Sequence, residues 1–281
     1  MKFSKFQGLG NDYIIIDEFK KSIIPEGQKS SIAKTLCTRR FSIGADGILF
    51  VCPPTRSDAD IRMRIFNSDG SEAEMCGNGI RCFAKYIYEK GIIKKTQMKV
   101  DTLAGIKIPT LSVINGKVSL IKVDMGIPKL FRNEIPMSGP NTEVINEDLQ
   151  VQDDTFSITC LSVGNPHCVI FLDDLEKLNI EQGKLIEYHD VFPKRVNVEY
   201  VTVLNRGEIK MRVWERGVGE TLACGTGACA AAVASVLNEY IDRKVLVHLV
   251  GGDLEIVWDE TDNHIYMTGP AEHIYDGEIK L

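Results

Sequence analysis

The chain has 281 residues, a formal net charge of −6, an apolar fraction of 44% and a charged fraction of 26%. These values are typical of a folded globular protein and exclude an intrinsically disordered chain. No run of lysines or arginines supplies the basic surface that phosphate backbones and anionic lipids attract. Neither nucleic acid nor a membrane is therefore an expected partner.

Most of the chain consists of short apolar runs, which predict strands. Two longer apolar runs predict helices. In chain order, strands are expected at residues 13–16, 48–51, 61–66, 98–100, 118–123, 169–172, 198–204, 209–214, 245–250 and 254–258. Helices are expected at about residues 78–90 and 226–239. The second is almost wholly Ala, Val and Leu, and a helix that is apolar nearly all round must be buried. We therefore expect each helix to be surrounded by its own sheet.

An internal repeat links the two halves of the chain. Residues 63–89 align without gaps on residues 211–237, each segment containing a C-G-x-G motif at the start of the predicted helix. The identical pairs are Met63 and Met211, Arg64 and Arg212, Glu72 and Glu220, Cys76 and Cys224, Gly77 and Gly225, Gly79 and Gly227, and Ala84 and Ala232. Upstream of each motif, a Gly-Asn pair precedes an apolar run, at Asn11 and again at Asn165. Duplication of a whole domain accounts for both the repeated C-G-x-G segment and the repeated Gly-Asn pair.

The repeat predicts an α+β fold of two pseudosymmetric, mostly antiparallel domains, each wrapped around a central helix. We expect an N-terminal half over residues 1–126 that carries Cys76, to which the C-terminal segment, residues 268–281, returns. The other half, residues 127–267, carries Cys224.

The repeated cysteines stand immediately before helices, where free amides and the positive end of the helix dipole favour a thiolate. We therefore expect a lowered thiol pKa at both positions. The amides of Gly77, Asn78, Gly225 and Thr226 can hold a carboxylate or an oxyanion, since glycine lets the backbone approach closely.

Two thiols on opposite sides of one substrate carbon suit inversion of an amino-acid Cα. One group must remove the proton from one face while another delivers a proton to the opposite face. Helix N-termini aimed at the α-carboxylate stabilise the developing carbanion, so the sequence predicts catalysis without a cofactor. Six further cysteines are interpreted as small buried apolar residues: Cys37, Cys52, Cys82, Cys160, Cys168 and Cys229.

The motifs QGLGNDY, SIGADG, NSDGSEAEMCGNGIRC, VGNPHCV, NVEYV and ERGVGETLACGTGA span residues 7–228. In this order they resemble the diaminopimelate epimerase family, a branch of the cofactor-independent racemases and epimerases. The resemblance implies interconversion of LL- and meso-diaminopimelate in lysine and peptidoglycan-precursor synthesis, with Cys76 and Cys224 as the acid and base pair. It also implies that the two domains are β-barrel-like, each enclosing its helix, and that the protein is a homodimer.

Further site residues follow from the same resemblance. Substrate binding is expected from Asn11, Asn67, Asn165, Asn197, Glu215 and Arg216. His167 and Glu215 are expected to tune a catalytic thiol. Some relatives carry a glutamine contact at the position of Gly47, so no side-chain contact is carried over to that residue. Asp46 either compensates for it or serves only as a turn former.

The N-terminal residues contain no apolar segment followed by a small-residue cleavage site, and no stretch is long enough to span a membrane. A cytoplasmic protein with reduced cysteines is expected. No Cys-x-x-Cys pair is present, so no metal site or disulfide framework is predicted.

Other functions stay open on sequence alone. A proline or glutamate racemase would use the same thiols, although the ERG and MCGNG motifs argue against the proline type. Phenazine isomerases lack the paired cysteines, and a pyridoxal-phosphate racemase would need a Schiff-base lysine and a phosphate loop. A non-catalytic amino-acid-binding protein would bind without exchanging a proton. A redox sensor would join Cys76 and Cys224 in a disulfide. The sequence does not assign a direction to either thiol.

Overall fold

The computed structural model describes residues 1–280, which form two compact units. The N-terminal unit comprises Met1–Asp124 together with the described part of the C-terminal segment from Thr268. The C-terminal unit comprises Met125–Met267.

Strands far outnumber helices along the described part of the chain. The first strands are β1 (Lys2–Gly8), β2 (Asn11–Asp17), β3 (Gly47–Cys52), β4 (Ile61–Asn67), β5 (Glu72–Ala73), β6 (Val100–Thr102), β7 (Gly105–Lys107), β8 (Thr110–Ile114) and β9 (Lys117–Gly126). The later strands are β10 (Val144–Val151), β11 (Asp154–Ser162), β12 (Pro166–Phe171), β13 (Asn197–Asn205), β14 (Glu208–Glu215), β15 (Gly219–Thr221), β16 (Lys244–Leu249), β17 (Gly252–Trp258), β18 (Ile265–Gly269) and β19 (Glu272–Glu278). The α-helices are α1 (Lys29–Cys37), α2 (Gly77–Glu89), α3 (Gln182–Glu187) and α4 (Gly225–Leu237).

The N-terminal unit is built on a sheet with the strand order β19-β1-β2-β3-β4-β6-β7, and β5 pairs with β4. Strands β2 and β3 are parallel, as are β4 and β6. Helix α2 packs on β1 to β4, and α1 packs on β3 and β4. Alternate residues such as Ile14 and Phe50 lie in the cluster that includes Leu36 of α1. Because both faces are covered, β2 and β3 are continuous apolar runs.

The C-terminal unit repeats this arrangement with the strand order β10-β11-β12-β13-β14-β16-β17-β18, and β15 pairs with β14. The parallel pairs are again the equivalent ones, β12 with β13 and β14 with β16. Helix α4 packs on one face of the sheet. On the other face Tyr200 and Trp214 join a core cluster with Ile186 of α3.

The predicted fold class is confirmed: two pseudosymmetric, mostly β units each hold a central helix. Among the described strands, however, both sheets are open and run between two edge strands, so closed barrels are not formed. Both predicted helices exist, each beginning one residue earlier than expected. Several strands, α1 and α3 were not predicted, and β6 lies two residues later than its predicted position. Among the described helices, none has the length and apolar character needed to cross a membrane.

Candidate active site

The two repeated cysteines occupy the same local position in their units, the residue that caps a buried helix. Cys76 is extended at the start of α2, and its Sγ accepts a hydrogen bond from the Gly79 amide at 3.5 Å. Cys224 is likewise extended before α4, and its Sγ accepts from the Gly227 amide at 3.4 Å. The C-G-x-G motif therefore places each sulfur over the first turn of a helix.

The next two amides of each helix remain available for a ligand. Within residues 1–280, the amides of Gly77 and Asn78 have no backbone or side-chain acceptor. The same holds, over the same residues, for the amides of Gly225 and Thr226. Unpaired first-turn amides with the helix dipole behind them form an anion-binding site. Each thiol is thus adjacent to donors that suit a carboxylate.

The Cys76 cluster consists of Asn11, Tyr13, Cys76 and Asn78. The Tyr13 hydroxyl lies 2.9 Å from Cys76 Sγ and also donates to Asn11 Oδ1. Asn78 Nδ2 donates to the same Asn11 oxygen at 3.3 Å, and that oxygen lies 3.8 Å from the Cys76 sulfur. Burial, together with the adjacent Cys76, raises the pKa of Tyr13 well above its usual range. Its hydroxyl therefore keeps its proton at neutral pH.

Asp46 fixes the orientation of the Asn11 amide. Its Oδ2 accepts from Asn11 Nδ2 at 2.7 Å and from the Asp12 amide at 2.9 Å. Arg39 Nη2 donates to the other carboxylate oxygen at 2.8 Å. Because Nδ2 is bound to a carboxylate, the Asn11 carbonyl oxygen must point to the Cys76 side. Asp46 is therefore more than a turn former.

Gly47 is explained by close packing of the backbone. A Cβ at this position would lie 2.8 Å from the backbone oxygen of Phe66 on β4. In the sheets, Gly47 pairs with Tyr13, while the equivalent Asn197 pairs with His167. The N-terminal unit thus has no side chain where the C-terminal unit has an amide.

The Cys224 cluster consists of Asn165, His167, Asn197, Glu199, Glu215 and Cys224. Burial, reinforced by the carboxylates of Glu215 and Glu199, raises the pKa of Cys224 well above its usual range. The expectation of a lowered pKa is wrong at this position, because burial and two nearby carboxylates outweigh the helix N-terminus. Burial also raises the pKa of Glu215, whose Oε1 accepts from the Thr221 hydroxyl. Cys224 is therefore held as a thiol.

His167 and Glu199 form a fully buried pair, with His167 Nδ1 2.7 Å from Glu199 Oε1. His167 Nε2 lies 2.9 Å from Asn165 Oδ1. A Cβ on Gly227 would come within 2.8 Å of Glu199 Oε1, so this carboxylate reaches the first turn of α4. Glu199 was missed at the sequence level. The signal was present in NVEYV, since Glu199 lies two residues after Asn197 and alternate strand residues share a face.

The other predicted binding residues lie at the ends of strands. The Asn197 side chain accepts from the Arg216 amide at 3.0 Å, and Arg216 Nη1 donates to the Lys194 carbonyl at 3.0 Å. Arg216 is exposed in the turn between β14 and β15. Asn67 is exposed at the end of β4, where its amide donates to Ser71 Oγ at 3.0 Å. The structure thus brings Asn197 to Arg216, whereas the contact that Asn67 makes with Ser71 is local.

The sequence matches a known protein family and individual members of it. A family model described as diaminopimelate epimerase matches residues 3–131 and 159–274. The chain is 54% identical over 279 residues to the diaminopimelate epimerase of Pelotomaculum thermopropionicum, covering 99% of this chain and 98% of that protein. It is 50% identical over 282 residues to the diaminopimelate epimerase of Moorella thermoacetica, covering 100% of both.

Among solved structures, a probable proline racemase from Agrobacterium radiobacter with bound carbonate is similar, with a TM-score of 0.74 and 12% identity. That match covers 100% of this chain and 93% of the racemase. A hydroxyproline epimerase from Agrobacterium vitis gives a TM-score of 0.73 at 14% identity, covering 99% of this chain and 90% of that one. At these identities the likeness concerns the fold.

Proposed function

The chain belongs to the diaminopimelate epimerase family, and from this premise we infer that it interconverts LL- and meso-2,6-diaminopimelate. One structural observation carries the inference. Each unit places a cysteine sulfur at the N-terminus of a buried helix, beside two amides that no residue in the described part of the chain accepts from. A thiol with an adjacent anion site suits proton exchange at an amino-acid Cα, because the thiolate can remove the proton while the amides hold the carboxylate.

The proposed reaction uses the two thiols in opposite protonation states. A thiolate removes the Cα proton from one face, and the other thiol delivers its proton to the opposite face. One proton leaves and one arrives, so the product is the epimer and the protonation states of the two sulfurs are exchanged. Burial raises the pKa of Cys224. We therefore assign Cys224 as the proton donor and Cys76 as the base in the direction of reaction that begins with Cys224 protonated.

Binding of the reacting end follows from the first-turn amides. The amides of Gly77, Asn78, Gly225 and Thr226 are proposed to hold the α-carboxylate. Their dipoles stabilise negative charge that spreads onto this group as the Cα proton leaves. No cofactor is needed for that stabilisation.

The non-reacting end of the substrate also carries an ammonium and a carboxylate. Arg216 suits a carboxylate because its planar guanidinium donates two parallel hydrogen bonds, and Glu215 suits an ammonium. The amides of Asn11, Asn67, Asn165 and Asn197 are proposed as further contacts. His167 is proposed to act on Cys224 through Glu199, since the two side chains form a buried pair.

The cellular setting belongs to the same proposal. We place the enzyme in the cytoplasm, in lysine and peptidoglycan-precursor synthesis, with a small amino acid as its ligand. All eight cysteines lie in the described residues and are free, which suits a reducing compartment. We also propose a homodimer, supported by β19, an edge strand on which Ile274 and Tyr275 are exposed. Sedimentation equilibrium would test that state.

The decisive experiment follows deuterium incorporation at the α-carbon of LL- and meso-diaminopimelate in D2O. Wild type should exchange and invert both, whereas Cys76→Ala and Cys224→Ala should lose inversion. Cys52→Ala is the matched control, because Cys52 is a partly buried thiol on β3 outside both clusters. Exchange with proline or glutamate, and none with diaminopimelate, would contradict the substrate. Binding without any exchange would mean a non-catalytic binding protein.

A further inference from the structure

Tyr13 and His167 occupy equivalent positions in the two units but are chemically different residues. Each follows the repeated Gly-Asn pair at the same spacing, GNDY in one unit and GNPH in the other. Each also contacts its own asparagine: the Tyr13 hydroxyl donates to Asn11 Oδ1, and His167 Nε2 lies 2.9 Å from Asn165 Oδ1. The duplicated scaffold therefore supports its two thiols with different chemical groups.

The surroundings of the two sulfurs also differ in polarity. A Cβ on Gly79 would lie 3.4 Å from Leu49 Cδ2, whereas one on Gly227 would lie 2.8 Å from Glu199 Oε1. The N-terminal unit thus has an apolar side chain where the C-terminal unit has a buried carboxylate. Tyr13 consequently has no acidic partner equivalent to Glu199 and directs its hydroxyl to Asn11 and Cys76.

We propose that Tyr13 is a positioning residue for Cys76, whose hydroxyl holds the sulfur in place and donates a hydrogen bond to the thiolate. The proposal deepens the proposed function and rests on it, since it concerns the thiol assigned as base. It makes the two thiols chemically unequal despite their pseudosymmetry.

The hydrogen-bond arrangement explains how one hydroxyl serves both states of Cys76. While Cys76 is a thiol, its S–H donates to the Tyr13 oxygen and the Tyr13 O–H donates to Asn11 Oδ1. When Cys76 loses its proton, the Tyr13 O–H rotates to donate to the sulfur. Tyr13 keeps its proton throughout, because burial holds its own pKa high. The Asn11 oxygen keeps a donor in the second state, since Asn78 Nδ2 remains bound to it.

Other ionisable groups also act on this cluster and must stay unchanged in a test. The acidic ones are Asp12 and Asp46, both bound to Arg39. On α2 itself, Cys82 is fully buried and next to Arg81 in sequence. Replacing Tyr13 by Phe leaves all of these in place and removes one hydroxyl.

The test compares Tyr13→Phe with wild type by the rate of iodoacetamide alkylation across a pH series. Mass spectrometry of the Cys76 and Cys224 peptides reads each thiol separately. Only a thiolate reacts, so the pH midpoint reports how easily the proton leaves. We expect the Cys76 midpoint to rise by about one pH unit, as loss of a charge-assisted hydrogen bond implies, and the Cys224 midpoint to stay.

Tyr200→Phe is the matched control. Tyr200 is fully buried on β13, on the opposite face from Glu199, and its hydroxyl has no hydrogen-bond partner among the described residues. Its loss should leave both midpoints unchanged.

An unchanged Cys76 midpoint in folded Tyr13→Phe would overturn the proposal, as would an equal change at both thiols. Alkylation needs no turnover, so this result is independent of the substrate. If wild type fails to exchange diaminopimelate while the Cys76 midpoint still moves, the proposed function fails and the Tyr13 contact stands.

Discussion

Cys224 shows how a single environment can oppose the effect of a helix N-terminus. Gly227 and Thr226 both favour its thiolate, but burial and the carboxylates of Glu215 and Glu199 favour the thiol. Desolvation of the buried sulfur exceeds the stabilisation from one amide at 3.4 Å. The sequence carries the helix cap but not the burial, so the direction of this pKa could not be predicted from it.

Glu215→Gln should raise the thermal stability of the protein and lower its activity. Burial raises the pKa of Glu215 in the folded protein above the unfolded value of about 4.3. Its stabilising contribution is therefore present below about pH 4.3 and is lost as pH rises through the folded pKa. At pH 7 the neutral variant should therefore have a higher Tm than wild type. The difference should shrink towards pH 4.

The same variant should lose function. Removing one buried carboxylate beside Cys224 is expected to move the alkylation midpoint of that thiol downward and to lower kcat/KM about 100-fold. Glu220→Gln is the control, because Glu220 pairs with Arg212 at the surface and such pairs contribute little. Scanning calorimetry at pH 4 and pH 7 measures the stability effect. A lower Tm at pH 7 would contradict it.

At the level of elements, the sequence predicted the parts that have strong periodicity. The repeated C-G-x-G motif located both central helices, and apolar runs located the strands that are covered on both faces. Strands with mixed patterns were missed. In β19, for example, nearly every residue is exposed, so no alternation marks it. The contacts of Asp46 with Asn11 and of Glu199 with His167 were not predicted, because each pair is separated by 32 or more residues along the chain. The position of Glu199 on the same strand face as Asn197 was readable from NVEYV.

The glycines at the third position of α2 and α4 should respond differently to the same substitution. In Gly79→Ala the new Cβ makes ordinary contacts, at 3.4 Å from Leu49 Cδ2. Helix propensity then adds up to about 1 kcal/mol, so the Tm should stay or rise. In Gly227→Ala the Cβ meets Glu199 Oε1 at 2.8 Å and Cys224 Sγ at 3.3 Å.

Glu199 cannot move aside easily, since it is fully buried and bound to His167. Overpacking of this kind is destabilising by about 1–3 kcal/mol, so the Tm of Gly227→Ala should fall. Circular dichroism melts of the two variants test the pair, each serving as the other's control. Equal melting temperatures of the two variants would show that the Glu199 carboxylate moves away from the new Cβ without destabilising the fold.

At the scale of the whole molecule, the C-terminal segment supplies an edge strand of the N-terminal sheet. Strand β19 pairs with β1, and the Ile279 amide donates to the Met1 carbonyl at 2.9 Å. Asp276 accepts from Ser4 Oγ at 2.5 Å and from Lys90 Nζ at 2.7 Å. The stability of this unit therefore depends on residues that are far apart in sequence.

Truncation after Ala271 should consequently loosen one unit and spare the other. Removing β19 leaves β1 as an edge strand that is paired only with β2. It also uncovers Phe3, which packs edge-on against Tyr275 at a centroid distance of 5.9 Å. Hydrogen exchange followed by mass spectrometry should show faster exchange in β1 and unchanged exchange in α4. Equal acceleration in both units would contradict this independence.

Asp276→Asn is the milder matched variant, because it keeps the strand and removes only the charge. Lys90 holds the pKa of Asp276 well below its usual range. The carboxylate therefore stabilises the fold above the unfolded pKa of about 3.9, and that contribution is lost as pH falls through the folded pKa. Exchange in β1 should thus be faster in Asp276→Asn than in wild type at pH 7. Because Asp276 is exposed, the effect should be far smaller than that of truncation.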